Sequence, residues 1–196
     1  MLTKIFDRLD DPKNARAKFQ SRLFGIFSER IVEVWAANPN CPYSNLGRPT
    51  ITPPGAVRGS TLDFTLKDRA TGKIYAAEMK CEIEYLDFRY FILEASYQLD
   101  HHVKPAFDAF LQCAQDPGSI SAKVRGKPVM IDGAVLIWGA ISTEAKDAVR
   151  LDRGFHDILS VEDICKDLLR WQSQEYQDLI QQYRSWSSNL FDGLTS

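Results

Sequence analysis

Asp63, then fourteen intervening residues, then Glu78-Met79-Lys80 is a spacing that can do chemistry. Two carboxylates placed opposite one another on neighbouring strands repel. Such a pair demands compensation. Lys80 supplies one positive charge, and a divalent cation would supply more. Clustered carboxylate oxygens suit the hard ions Mg²⁺ or Mn²⁺ rather than zinc. A lysine beside such an ion and a water suits phosphoryl chemistry. It can orient or help deprotonate the water and stabilise the charge of a phosphorane-like transition state.

The elements around these residues must bring them together. Ser60–Asp68 reads STLDFTLKD, with Leu62, Phe64 and Leu66 alternating with polar residues, the pattern of a half-buried strand. Arg69-Ala70-Thr71-Gly72 is turn chemistry. Lys73–Glu82 alternates again through Ala77, Met79 and Cys81, which predicts a second half-buried strand and a hairpin. If Asp68 lies opposite Lys73, Asp63 lies opposite Glu78. Side chains alternate faces along a strand, so Lys80 shares the face of Glu78. Leu62, Phe64, Ala77 and Met79 are then expected on the other face. A slip of one residue would break both sets. The plainer reading of the same residues is a solvated hairpin face whose charges pair as surface ions.

The rest of the chain predicts an α/β protein. Phe19, Leu23, Phe24, Phe27, Ile31, Val34 and Trp35 recur at helical spacing, and Asn38-Pro39-Asn40 with Pro42 ends that helix near Ala37. Residues 38–59 hold five prolines and three glycines and read as a long irregular connection. A helix is expected over Phe88–Ala114, with a break before Pro105. Val129–Trp138 is a nearly continuous apolar run, a strand covered on both faces. A short strand is expected near Phe155–Leu159. Ser160 with Asp163 three residues on resembles a helix start, and helical patterning continues to about Phe191. The order helix, strand, strand, helix, strand, helix implies an α/β sandwich with a mixed sheet.

Asp63 and Glu78-Met79-Lys80, on two strands joined by a short turn, resemble the signature of the PD-(D/E)XK nuclease superfamily. Leu62 stands where that family often has proline. The resemblance covers about Phe19 to Trp138 and implies a restriction-endonuclease-like α/β/α sandwich with an appended C-terminal helix. It implies one nuclease-like domain over 1–196, with its core at about 19–140 and a helical extension at about 160–191. It also implies that Asp63, Glu78 and the Met79 carbonyl hold Mg²⁺ or Mn²⁺, and that the helix before the hairpin offers a further carboxylate. Glu29 is the first choice for that acid and Glu33, one turn on, the rival. The implied activity is metal-dependent endonucleolytic hydrolysis of DNA, as a restriction-type enzyme or its cleavage subunit. The alternative is a catalytically inactive scaffold or interaction protein on the same fold.

Composition sets the bounds. The 196 residues are 44% hydrophobic and 26% charged, ordinary for a folded chain. No apolar run approaches the roughly 20 residues of a membrane helix, and the opening MLTKIFDRLDD lacks the apolar core of a secretory signal. Twenty-four basic and 26 acidic residues give a net charge of −2, so nucleic acid must be held by local cations. Arg48 and Arg58, in the connection that enters the Asp63 strand, are the favoured grip, and Lys123, Arg125 and Lys127 the other. Cutting both strands needs two sites, so a homodimer or a larger recognition subunit is expected. Cys41, Cys81, Cys113 and Cys165 have no metal or redox spacing and read as free thiols of a reducing cytoplasm. His101-His102, Tyr97 and Gln98 are weaker site candidates on the second helix, and Glu82 and Glu84 could extend the acidic face.

Overall fold

The structure, a computed structural model, describes the backbone of residues 15–81 and 90–195 and the side chains of 23–81 and 90–194. Glu82, Glu84 and Phe88 lie outside the described residues. In chain order the elements begin with α1 (Ala15–Ala37), β1 (Tyr43–Asn45), β2 (Pro49–Thr52), β3 (Ser60–Thr61), β4 (Phe64–Asp68), β5 (Ile74–Lys80) and β6 (Ile92–Leu93). They continue with α2 (Pro105–Gln115), β7 (Ser121–Val124), β8 (Lys127–Val129), β9 (Gly133–Trp138) and β10 (Ala140–Ile141). The chain closes with α3 (Thr143–Arg153), β11 (Asp157–Ser160), α4 (Val161–Arg170) and α5 (Gln174–Thr195).

A five-stranded sheet in the order β1-β4-β5-β9-β11 forms the centre. β4 and β5 are antiparallel, while β5, β9 and β11 run parallel, so the fold is α/β with a mixed sheet. β9 is buried along its whole length because it has a strand on each side and packing on both faces. On one face, Phe64, Leu66, Ala77, Met79 and Val135 pack with Ile31, Val32 and Trp35 of α1, Ile164 and Leu168 of α4 and Leu179 of α5. On the other, Ala76, Ala134, Leu136 and Trp138 meet Phe107 and Phe110 of α2, Ala145 and Val149 of α3, and Ile51 and Ala122 of a smaller sheet. That smaller sheet has the order β3-β2-β7-β8 and is antiparallel throughout.

The hairpin has the expected register: Phe64 faces Ala77 and Lys67 faces Ile74. Three features of it differ. The strand expected over Ser60–Asp68 is split, because Ser60–Thr61 pairs with β2 and the chain bends at Leu62–Asp63 before entering the main sheet. The bend sends Leu62 into the cluster opposite Phe64, where one shared face was expected. The hairpin strands are also buried on both faces, since Thr65 and Ala76 are small enough to be covered and are fully enclosed.

Elsewhere the Pro/Gly-rich connection contains two strands, β1 and β2. The expected long helix is confined to α2, for Pro105 occupies its first turn. Before it lie β6 and a short 3₁₀ helix at Ser96–Leu99, organised by Gln98, whose amide oxygen accepts the backbone N–H groups of Glu94 and Ala95 at 2.6 and 2.8 Å. The apolar strand begins at Gly133, not Val129, and α3 is an element that the pattern did not announce. Ser160 caps α4 as expected, accepting the Asp163 N–H at 2.9 Å. The C-terminal region is two helices, not one, broken at Gln172, which holds a left-handed φ of 52°. The four cysteines are thiols outside any disulfide, and burial pushes the Cys41 and Cys113 thiols up to about 12, which makes them inert near neutrality. Among the described residues no helix is long and apolar enough to cross a membrane.

Candidate functional site

Asp63 stands at the bend where the chain passes from the small sheet to the large one. Its Oδ2 accepts the Met79 backbone N–H at 3.0 Å, which pins the carboxylate against β5. Glu78 sits centrally on β5, its side chain 9% exposed. Lys80 is ion-paired to Glu78 Oε1 and reaches the Met79 carbonyl at 3.3 Å. The same ammonium lies 5.6 Å from the centre of the Phe107 ring, a cation–π contact that helps hold it over the sheet. The hairpin therefore brings Asp63, Glu78, the Met79 carbonyl and Lys80 together.

Arg48 completes the inner set. Continuing the β2–β3 register by two pairs places Arg48 opposite Asp63, and its Nη2 lies 3.2 Å from Asp63 Oδ1 while its Nε donates to the Leu62 carbonyl at 3.3 Å. Each acid thus has its own cation: Asp63 with Arg48, Glu78 with Lys80. Glu29 on α1 is within electrostatic reach. Burial, then the Asp63 charge, raises its pKa, and Arg48 and Lys80 oppose that. Glu33 instead pairs with Arg30 on the same helix. Burial is also the main cause that raises Glu78, with Lys80 pulling the other way and Asp63 adding to the rise.

No family model, curated protein or solved structure matches the chain.

The site itself must therefore carry the reading. Glu78 Oε2 is buried with no hydrogen-bond partner. A buried carboxylate oxygen in that condition is costly, and it fits a hard cation. Among the described residues no three His, Cys, Asp or Glu side chains gather closely enough to hold a metal. The donor set available to an ion is therefore two carboxylates and a backbone carbonyl.

The remaining expected residues fall in two groups. Arg58 is exposed in the connection between β2 and β3, while Lys123, Arg125 and Lys127 are exposed on the β7–β8 hairpin. The two alternative grips belong to the strands and connections of one small sheet. His101 and His102 lie outside any helix. Their rings pack against Tyr90 and against Phe107 with Trp138, beside the aromatic floor under Lys80. Tyr97 is exposed and Gln98 is structural. Phe107 as the support of Lys80 and Arg48 as the partner of Asp63 carried no signal in the sequence, since both interactions join elements far apart along the chain.

Proposed function

We propose that this chain is a metal-dependent endonuclease of the PD-(D/E)XK type that hydrolyses DNA phosphodiester bonds, on a restriction-endonuclease-like α/β/α sandwich. One observation carries the reading: Asp63, pinned by the Met79 N–H, meets Glu78 and its partner Lys80 across a hairpin in the expected register. The order of elements, with α1 before the hairpin and α2 and β9 after it, supports the same reading.

Asp63, Glu78 Oε2 and the Met79 carbonyl are the atoms that would hold Mg²⁺ or Mn²⁺. Such an ion supplies Lewis-acid polarisation of a phosphoryl oxygen and a more acidic bound water. The chain's own residues do the rest. Lys80, held between Glu78 and the Phe107 ring, keeps its ammonium where it can orient the attacking water and meet charge developing on the phosphoryl oxygens. Glu78 aims Lys80. Glu29 adds negative charge behind Asp63 and tunes affinity for the ion. Arg48 neutralises Asp63 and is free to turn to a phosphate once another cation takes its place. A homodimer, or a larger recognition subunit, provides the second cut.

Plasmid nicking with Mg²⁺, with Mn²⁺ and with EDTA, beside Lys80→Ala, tests this. Cleavage by wild type with either ion, lost in EDTA and reduced about 10²–10⁴-fold in the variant, is expected. The pairing of each acid with its own cation also suits a scaffold that no longer cuts. Wild type that never nicks DNA would favour that second reading.

A further inference from the structure

The small sheet aims one of its faces at the candidate site. Its register sets the side chains in rows. Thr61, Thr50, Lys123 and Pro128 form one row, through the pairs Thr50–Thr61, Thr50–Lys123 and Lys123–Pro128. Thr52 and Ser121 form the next. In the other direction the same register leads to Arg48, flanked by Asp63 and Arg125. The Arg125 side chain lies against Gly47, the residue before Arg48: a Cβ on Gly47 would lie 3.4 Å from its Nε. By the alternation of a strand the two rows share a face, whereas Arg125, a turn residue with a left-handed φ of 51°, is placed beside them by its approach to Gly47. Thr50, Thr61, Ser121, Lys123 and Arg125 are exposed, while Ile51, Ala122 and Val124, on the opposite face, are buried.

Three cations, Arg48, Lys123 and Arg125, thus stand close together on a chain whose net charge is −2. Neighbouring strands are about 4.8 Å apart and alternate residues about 6.8 Å, so Arg48, Lys123 and Arg125 lie within roughly one Debye length at 0.1 M salt. Of these three, among the described residues, only Arg48 has a carboxylate partner, and that partner is Asp63. Threonine and serine hydroxyls fill the spaces between the cations. Hydroxyls and cations are the groups that bind phosphates and sugars, which position a duplex without reading its sequence.

We infer that this face, from Lys123 through Arg125 and Arg48 to Asp63, is the track on which a DNA phosphate backbone is led to the site. The inference rests on the nuclease reading and adds to it a surface, a direction and a lack of sequence preference. It also separates residues that composition alone would group. Lys127 pairs with Val124 and so falls on the opposite parity, off the track.

The test is duplex binding by fluorescence anisotropy in Ca²⁺ over a KCl series, for wild type, for Lys123→Ala with Arg125→Ala, and for Lys127→Ala. Plasmid nicking by wild type in Mg²⁺ is read in parallel. The double variant is expected to lower the salt slope by about 1.8, or about 0.9 for each phosphate no longer neutralised. Lys127→Ala should leave the slope unchanged, and a scrambled duplex should compete equally. Thr50→Glu, an exposed change in the middle of the track, repeats the test should the double variant misfold. Wild type that nicks and binds DNA, with an unaltered slope in the double variant and in Thr50→Glu, would overturn the track and leave the nuclease reading standing. Wild type that neither binds nor nicks would overturn both.

Discussion

Glu78 divides its two oxygens between Lys80 and no partner at all, and that division sets what substitutions should do. Lys80→Ala strands a buried carboxylate and is expected to cost about 1–3 kcal/mol of stability. Adding Glu78→Gln should restore most of it, so thermal melts of the two single variants and the double one close a cycle; additive losses would show that the pair is not coupled. Asp63→Asn and Glu78→Gln should each lose Mn²⁺ binding by calorimetry yet remain folded, because a repulsive pair is relieved. Unchanged binding in both would remove the ion from these residues. Glu29 answers to pH. Burial and then Asp63 raise it above its ordinary value of 4.5, so the native state favours the protonated form. The contribution of Glu29 to stability is greatest below the ordinary value and falls as pH rises through it to the raised value. Glu29→Gln removes that fall, and wild-type and variant Tm curves should diverge as pH rises above about 4.5. Parallel curves would mean that Glu29 feels no such environment.

At the scale of elements, Gly59 guards the start of β3. A Cβ there would meet Thr50 Cγ2 and Thr52 Oγ1 at 2.6 Å and the Ile51 carbonyl at 3.0 Å. Gly59→Ala should push β3 off β2, costing about 1–3 kcal/mol, and should disturb the Arg48–Asp63 pair; a Tm equal to wild type would show that the strand yields freely. The hairpin was legible because Asp68 and Lys73 bracket a turn, which fixes every pair back to Phe64 and Ala77 and leaves Asp63 and Glu78 next to that last pair. β9 was legible as an unbroken apolar run. Other elements were not. β1 and β2 sit among prolines, tolerated because Pro42 precedes β1 and Pro49 opens β2. Thr65 and Ala76 read as a polar or neutral face but are enclosed, since small side chains do not declare burial. α3 is mostly polar with only Ala145 and Val149 buried, too sparse a stripe to stand out. The helical periodicity of Phe88–Ala114 was misleading because the Gln98 amide, Trp138 Nε1 on the Tyr90 carbonyl, and pairing of β6 with β10 hold the first part in other conformations. Of the site, the acids and lysine followed from the hairpin, whereas the placing of Arg48 and Phe107 depended on how distant elements pack.

At the scale of the whole molecule, the two larger sheets among the described residues share one continuous stretch of chain, Ser60–Asp68, with Asp63 at the junction. An ion that relieves the acids would bind the folded hairpin and not the unfolded chain, so Mn²⁺ should raise Tm and EDTA should reverse the rise; melting unaffected by Mn²⁺ at concentrations that support nicking would contradict this. The two sheets differ in how their strands meet along the chain. β4 and β5 are joined by a short turn, whereas β2 finds β7 only after β4, β5 and α2 have intervened along the chain. Local pairs close quickly and distant pairs slowly. Refolding should therefore assemble the acids and lysine before the small sheet settles beside them. Substitutions in the β4–β5 turn should slow folding, and those at the β2–β7 seam should chiefly speed unfolding. The protein would then acquire its chemistry first and its grip last, and for part of every refolding event it would be a centre without a track.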